Sequence, residues 1–200
     1  MKPTTFDFFF DIASGYSYLA HSQVEPLAQR SGVRARWRPF LLGAVFKATG
    51  NETPARLPAK AAWLVRDMAL WAQQYGMPLT FPSRFPFHSV TALRLLVAAG
   101  RLHGDEAIPR LAHQLFEAAW GLDQDVNDPV VLAACATAAG LDATELAAAL
   151  GTDKTKDALR ANTDEAVRRG VFGAPAFFVG DELFWGNDRL HFVEQALNRG

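Results

Sequence analysis

Gly173-Ala174-Pro175 stands directly before Ala176-Phe177-Phe178-Val179-Gly180, a short run of strand formers closed by a turn residue. A proline leading a strand can be plain loop punctuation. If its preceding bond is cis, the backbone N–H and C=O of Ala174 stand exposed, free to pair with an extended peptide as an added strand would. The other end of the chain holds the matching half. Thr5-Phe6-Asp7-Phe8-Phe9-Phe10 is a second run of strand formers, followed by the small polar turn Asp11-Ile12-Ala13-Ser14-Gly15-Tyr16-Ser17.

Working inward, residues 4–10 are apolar on both faces except at Asp7, the pattern of a buried central strand. Leu19, Val24 and Leu27 mark the apolar side of a helix from about Gly15 to Arg30, stopped by Gly32. Val33 to Pro39 then alternates Val33, Ala35 and Trp37 with Arg34, Arg36 and Arg38, a strand with one wet face. Strand, helix, strand within so short a span is a βαβ unit, which requires a parallel pair. At the far end, Pro175–Val179 and Leu183–Trp185 flank the turn Gly180-Asp181-Glu182 as a hairpin. A last helix follows, capped by Asn187 or Asp188, with Leu190, Val193 and Leu197 inward.

Between these ends the texture is helical. Leu64, Met68, Trp71 and Tyr75 share one stripe, ended by Gly76 and Pro78. Further helices are expected from His88 to Ala99 and around Ile108, Leu111, Leu115 and Ala118. Asp128-Pro129 is a start signal, and Asp142 with Glu145 resembles a capping box. A last long helix is expected from Asp153 to Arg169. The expectation is an α/β chain: residues 1–50 and 163–200 form one thioredoxin-like domain, and residues 51–162 form a helical insertion.

Composition narrows the function. A formal net charge of −1 gives no reason to expect nucleic acid or an anionic membrane as partner. No apolar run approaches the length of a membrane span, and Asp7 and Asp11 interrupt any signal-peptide pattern, so a cytoplasmic protein is expected. The single cysteine, Cys135, sits in an apolar helical run and reads as a small buried hydrophobe. None of the five histidines pair at metal-ligand spacing, so no metal is expected. The aromatic content, with fifteen Phe and five Trp, can supply both core and a pocket for a flat apolar substrate.

The two ends together have the outline of a thioredoxin-like thiol site, yet Cys-x-x-Cys is absent and Ser14 stands where the reactive cysteine belongs. A helix N-terminus offers unpaired N–H groups and a partial positive charge, a setting that holds an anion or a thiolate. A serine there can donate to a bound sulfur, or it can be an ordinary N-cap. Asn187 and Asp188 are natural caps too, although a carboxylate at that place can receive an α-ammonium. Lys47, in a loop with Asn51, and Lys60 can neutralise a substrate carboxylate or simply be solvated.

Asp11-Ile12-Ala13-Ser14-Gly15-Tyr16-Ser17-Tyr18-Leu19-Ala20 resembles the Ser-Pro-(Tyr/Phe)-Ser-(Tyr/Trp)-Leu segment of 2-hydroxychromene-2-carboxylate isomerases, and kappa-class glutathione transferases carry a similar one. Arg38 to Lys47 with Gly50-Asn51 resembles the loop after the second strand in both families, and Asn162 to Pro175 resembles their tail. Trp185-Gly186-Asn187-Asp188-Arg189-Leu190 favours the isomerases. The resemblance implies a thioredoxin-like fold with a helical insertion, glutathione as cofactor, a small aromatic carboxylate as substrate and a homodimer. It implies Ser14 as the catalytic serine facing the glutathione sulfur, and Ala174, followed by Pro175, as holder of the cysteinyl part. Trp185, Gly186, Asn187 and Asp188 would hold the γ-glutamyl end. Lys47, Asn51 and Lys60 would face substrate or cofactor, and Phe85 stands where a substrate-contacting tyrosine is expected. Gly15 replaces the usual proline, and Arg56 aligns only approximately with the polar substrate-binding loop. A conjugating transferase and a non-catalytic glutathione- or peptide-binding module are the alternatives.

Overall fold

The computed structural model describes residues 3–199. Its four-stranded sheet has the order β2-β1-β3-β4, built from β1 (Thr5–Phe10), β2 (Arg34–Pro39), β3 (Ala176–Val179) and β4 (Glu182–Trp185). β1 and β2 are parallel, with Phe8 opposite Trp37, while β3 runs antiparallel to both β1 and β4. β1, apolar on both faces except at Asp7, is therefore an inner strand, as its two-faced pattern requires. The hairpin turn is tighter than expected: Glu182 already pairs with Val179, leaving Gly180-Asp181, with Gly180 at φ 59°.

Alternation along β1 divides the core in two. Phe8 and Phe10 stack on one face, where Trp37 and Phe177 also meet Phe8. Phe9 points the other way, toward Phe40 and Phe178. The helices in chain order are α1 (Gly15–Ser31), α2 (Leu42–Thr49), α3 (Pro58–Tyr75), α4 (Val90–His103), α5 (Ala107–Phe116), α6 (Pro129–Ala138), α7 (Ala143–Ala149), α8 (Asp153–Arg168) and α9 (Leu190–Leu197). Most of the sequence signals act as expected. Gly32 and Gly76 end α1 and α3 in the left-handed conformation, and the Asp128 side chain caps α6. The Asp142 side chain takes the N–H groups of Thr144 and Glu145, but Glu145 pairs with His103. Residue 163 lies inside α8, one continuous helix that packs on α2 and β2.

Three differences are informative. The stretch that reads as a loop after the second strand contains α2, so Lys47 lies in a helical last turn. Its N-cap, Leu41, has no side-chain cap, and the missing acceptor comes from across the fold: Asp11 Oδ2 takes the Leu42 N–H at 2.8 Å. Neither Asn187 nor Asp188 caps α9 with its side chain; a 3-10 turn, Asn187–Arg189, leads into the helix. After α5 a wide turn, Glu117–Gly121, continues the chain with i→i+5 bonds of the Leu122 N–H to Glu117 type.

The one charge inside β1 is answered by two arginines. Asp7 is buried, with Arg36 Nε at 2.7 Å and Arg169 Nη1 at 2.7 Å, and the Arg169 guanidinium also lies 3.7 Å over the Phe178 ring. Removing the carboxylate takes the shorter ion pair from Arg169, which is only 15 % exposed and keeps Glu165 at 3.5 Å and the Gly180 carbonyl. Asp7→Ala is expected to lower unfolding free energy by about 3 kcal/mol, read as a lower urea midpoint at unchanged slope.

His21, on α1, is buried and donates Nδ1–H to the Tyr18 carbonyl. Its Nε2 is then an acceptor for His113 Nδ1 at 3.3 Å. Burial, above all, pushes the His21 imidazolium down to about 4 from 6.5. Between those values the unfolded chain binds a proton the folded one refuses, so this contribution is whole above pH 6.5 and is lost on acidification toward pH 4. The loss amounts to roughly 3 kcal/mol. Urea unfolding across that window should show a shallower fall for His21→Phe than for the wild-type chain.

Candidate functional site

Four segments converge at the start of α1. The turn after β1 delivers Ser14 as its N-cap, with the Ser14 N–H bonded to the Asp11 carbonyl at 3.0 Å. Ser14 Oγ accepts the Ser17 N–H at 3.1 Å and donates to the Ala174 carbonyl at 3.2 Å, joining two ends of the chain 160 residues apart. The Ala174–Pro175 bond is cis. The Ala174 N–H has no hydrogen-bond partner among the described residues. So Ser14 is both an N-cap and a hydroxyl aimed at the strand-leading proline.

Asp11 holds this turn from below. It is buried, its Oδ1 takes the Ala13 N–H at 2.9 Å, and its Oδ2 takes the Leu42 N–H. Burial raises its carboxyl pKa above the ordinary 3.8, and bonds from Ser89, Ala13 and Leu42 pull back against that rise.

The hairpin brings in the next group. The Gly186 N–H bonds the Pro175 carbonyl at 3.0 Å, which sets Trp185 to Asp188 beside Ala174. The Trp185 indole lies against Gly173, where any Cβ would run into Nε1, and packs on Phe172 with ring centroids 5.0 Å apart. Asn51 donates to the Phe172 carbonyl at 2.8 Å, so it joins the same rim. Gly186, at φ 102°, leaves room for Asp188 Oδ1 folded back over it. Asn187 is 3 % exposed, its carbonyl accepts from Tyr75 Oη at 3.1 Å, and its Nδ2 has no partner among the described residues. Asp188 pairs with Arg189.

Helix α3 closes the rim through residues that periodicity alone does not single out. Tyr16 Oη donates to Asp67 Oδ2 at 2.7 Å, and the Tyr16 pKa rises through burial and the nearby carboxylates of Asp67 and Asp188. Tyr16 lies two residues after Ser14, inside the same turn segment, and nothing in the sequence marks Asp67 as its partner. Phe85 lies with Phe81 and Trp120, whose indole donates to the Ile12 carbonyl at 2.8 Å and whose ring edge presses on Gly15. Lys47 and Lys60 are exposed, in the last turn of α2 and the first turn of α3, and neither ammonium has a polar partner among the described residues. The structure thus gathers Ser14, Ala174, Pro175, Trp185, Gly186, Asn187, Asp188 and Asn51, sets Phe85 behind Gly15, and leaves the two lysines in solvent.

Residues 5–198 match the family model of the DSBA-like thioredoxin domain. The chain belongs to that family. It is 35 % identical over 195 residues to a protein of Sphingobium xenophagum named 2-hydroxychromene-2-carboxylate isomerase, covering 96 % of this chain and 97 % of the relative. It is 28 % identical over 207 residues to glutathione S-transferase kappa 1 of Homo sapiens, covering 98 % and 91 %. A solved 2-hydroxychromene-2-carboxylate isomerase superposes with a TM-score of 0.87 at 31 % identity, covering 98 % of this chain and 95 % of that one.

Cys135, the only thiol of this DsbA-like chain, is buried on α6 and bonded to the Gln114 carbonyl, and burial pushes its pKa up to about 11. It supplies no nucleophile at the start of α1. A cavity of about 720 Å³ lies elsewhere: it follows the flank of α1 past Tyr18, His21 and Trp37 to Arg110 and His113, and Ser14 does not line it. The candidate site is instead the junction of Ser14 with Ala174, flanked by the exposed Phe172 and Trp185 side chains.

Gly15 has a packing reason of its own. A Cβ there would overlap Met68 Cε and Sδ and sit 2.9 Å from the Trp120 ring. Gly15→Ala is expected to destabilise the chain by about 2 kcal/mol. Adding Met68→Ala should recover much of the added cost of Gly15→Ala, measured as a double-mutant cycle in thermal unfolding.

Proposed function

We propose that this protein is a glutathione-dependent isomerase acting on 2-hydroxychromene-2-carboxylate-type substrates and yielding trans-o-hydroxybenzylidenepyruvate-type products. One observation carries the reading: a serine hydroxyl, not a cysteine, stands at the N-terminus of α1 against the Ala174 carbonyl, in a chain whose one thiol is buried elsewhere. Such a site can favour the thiolate of a borrowed thiol. Relatives of nearly equal length named for this isomerisation support it.

The residues present fit glutathione. The unpaired Ala174 N–H and the carbonyl beside it suit the backbone of the cysteinyl part. Asn187 Nδ2 is a buried donor without a partner among the described residues, and the Asp188 carboxylate beside it, paired with Arg189, can receive an α-ammonium, so the pair suits the γ-glutamyl end. Gly173 and Gly186 keep the floor free of side chains that would crowd Trp185 and Asp188.

Bound glutathione would supply a thiolate that adds reversibly to the conjugated carbon of the substrate, freeing a carbon–carbon bond to rotate. The protein's own part is to lower the thiol pKa with the Ser14 hydroxyl and the α1 terminus, and to hold the aromatic acid beside it. Phe85 and the aromatic group behind Gly15 offer a wall for the ring, while Asn51, Lys47 and Lys60 are assigned to the carboxylate side. A cytoplasmic homodimer belongs to the same proposal. Conjugation of electrophiles is the second reading, favoured by the full-length similarity to kappa-class transferases.

Ser14→Ala should lower isomerase turnover on the order of 10²-fold while leaving glutathione binding by calorimetry within a few-fold. Full activity in the variant would remove Ser14 from the chemistry. Parallel assay of chromene isomerisation and of conjugation to a model electrophile separates the two readings.

A further inference from the structure

Ser17 presents a puzzle in the first turn of α1. It is fully buried, at 0 % exposure, and its hydroxyl has no hydrogen-bond partner among the described residues. Four helical hydroxyls elsewhere in this chain bond back to a carbonyl of the preceding turn: Ser22 to Leu19, Thr49 to Val45, Thr137 to Ala133 and Thr163 to Leu159. Ser17 does not, although Ala13 lies four residues before it. A buried hydroxyl without a partner is costly to keep, and alanine would be the better helix residue.

Its place suggests what the hydroxyl is for. The Ser17 N–H already bonds Ser14 Oγ at 3.1 Å, so the Ser17 side chain starts beside that oxygen. The Ser14 hydroxyl has one proton and donates it to the Ala174 carbonyl. To donate to a thiolate sulfur, the Ser14 hydroxyl must turn that proton away from Ala174. An oxygen that donates to an anion becomes a better acceptor, because hydrogen bonds in a chain polarise one another. Ser14 Oγ accepts one bond from the Ser17 N–H and has a second lone pair free.

We propose that Ser17 is a positioning residue of the thiol site: its hydroxyl, unpaired on its own, donates to Ser14 Oγ when Ser14 turns toward the sulfur. It thereby strengthens the Ser14 bond to the thiolate without touching the ligand. This rests on the glutathione reading above. The same logic explains the retained cost, since a partner supplied only in the working arrangement leaves the hydroxyl unpaired otherwise.

The test separates function from stability. Ser31, at the other end of α1, is also buried, its hydroxyl without a partner among the described residues, and serves as the control. Ser17→Ala and Ser31→Ala should both unfold at the same or a higher temperature than the wild-type chain. With glutathione saturating, as set by calorimetry, only Ser17→Ala should lose ultraviolet thiolate absorbance per bound glutathione, by about 5-fold at a pH below the thiol pKa, with a matching fall in kcat. The Ser14→Ala/Ser17→Ala double variant should be no worse than Ser14→Ala. Unchanged thiolate absorbance in Ser17→Ala, a loss equal in Ser31→Ala, or a double variant clearly below Ser14→Ala overturns the proposal. Ser17→Gly provides the same comparison should the alanine variant pack poorly. No thiolate signal from the wild-type chain with glutathione would instead overturn the functional reading, and this inference with it.

Discussion

The Asp11 carboxylate is the constraint on which the working end of the molecule depends. Its two oxygens cap Ala13 and Leu42, and its main-chain carbonyl takes the Ser14 N–H. Helices α1 and α2 both begin at this one buried group. Burial raises the Asp11 carboxyl pKa, and the N–H groups and partial positive charge of the two helix starts offset part of that rise. The arrangement fixes Ser14 at the head of α1 and starts the helix that leads to Lys47 and Asn51.

A different buried acid organises the other side of the sheet. Asp7 sits among the phenylalanines of β1, and Arg36 and Arg169 neutralise it from β2 and from the end of α8. Packing of Phe8 and Phe10 on one face and Phe9 on the other ties β1 to both layers of helices. The rigid inner strand thus carries the turn that presents Ser14. The facing half arrives through β3, whose leading Ala174-Pro175 is set by pairing of β3 with β1 and by the Gly186–Pro175 bond. The geometry of the candidate site is in this sense a by-product of sheet assembly, with small residues at 15, 173 and 186 clearing space for Met68, Trp185 and Asp188.

Strands and most helices were legible because each rests on local chemistry. The two-faced apolar run 5–10, the alternation 33–39 and the glycine stops at 32 and 76 are patterns that neighbours in sequence create by themselves. Helix α2 was not legible, since its cap is contributed by a residue thirty-one positions earlier. The cap reading of Asn187 and Asp188 gave way because the hairpin draws Gly186 onto Pro175, and a 3-10 turn fits the short path to α9. Of the site, residues carried by a motif could be named in advance. Tyr16 with Asp67, Phe172 and the Asp11 hub could not, because their significance lies in what they face across the fold.

By itself, then, the order of residues determined the βαβ start, the ββα finish, the helical middle and the replacement of a reactive cysteine by Ser14, all consequences of side-chain period, turn chemistry and residue type. Only the tertiary structure decided that Ser14 Oγ meets the Ala174 carbonyl, that Gly15 lies against Met68 and Trp120, and that the Ser17 hydroxyl and Asn187 Nδ2 are buried without partners among the described residues. The physical reason is range. Backbone propensity acts over a few residues, whereas hydrogen bonds and close packing act between whatever surfaces the fold brings within a few ångströms.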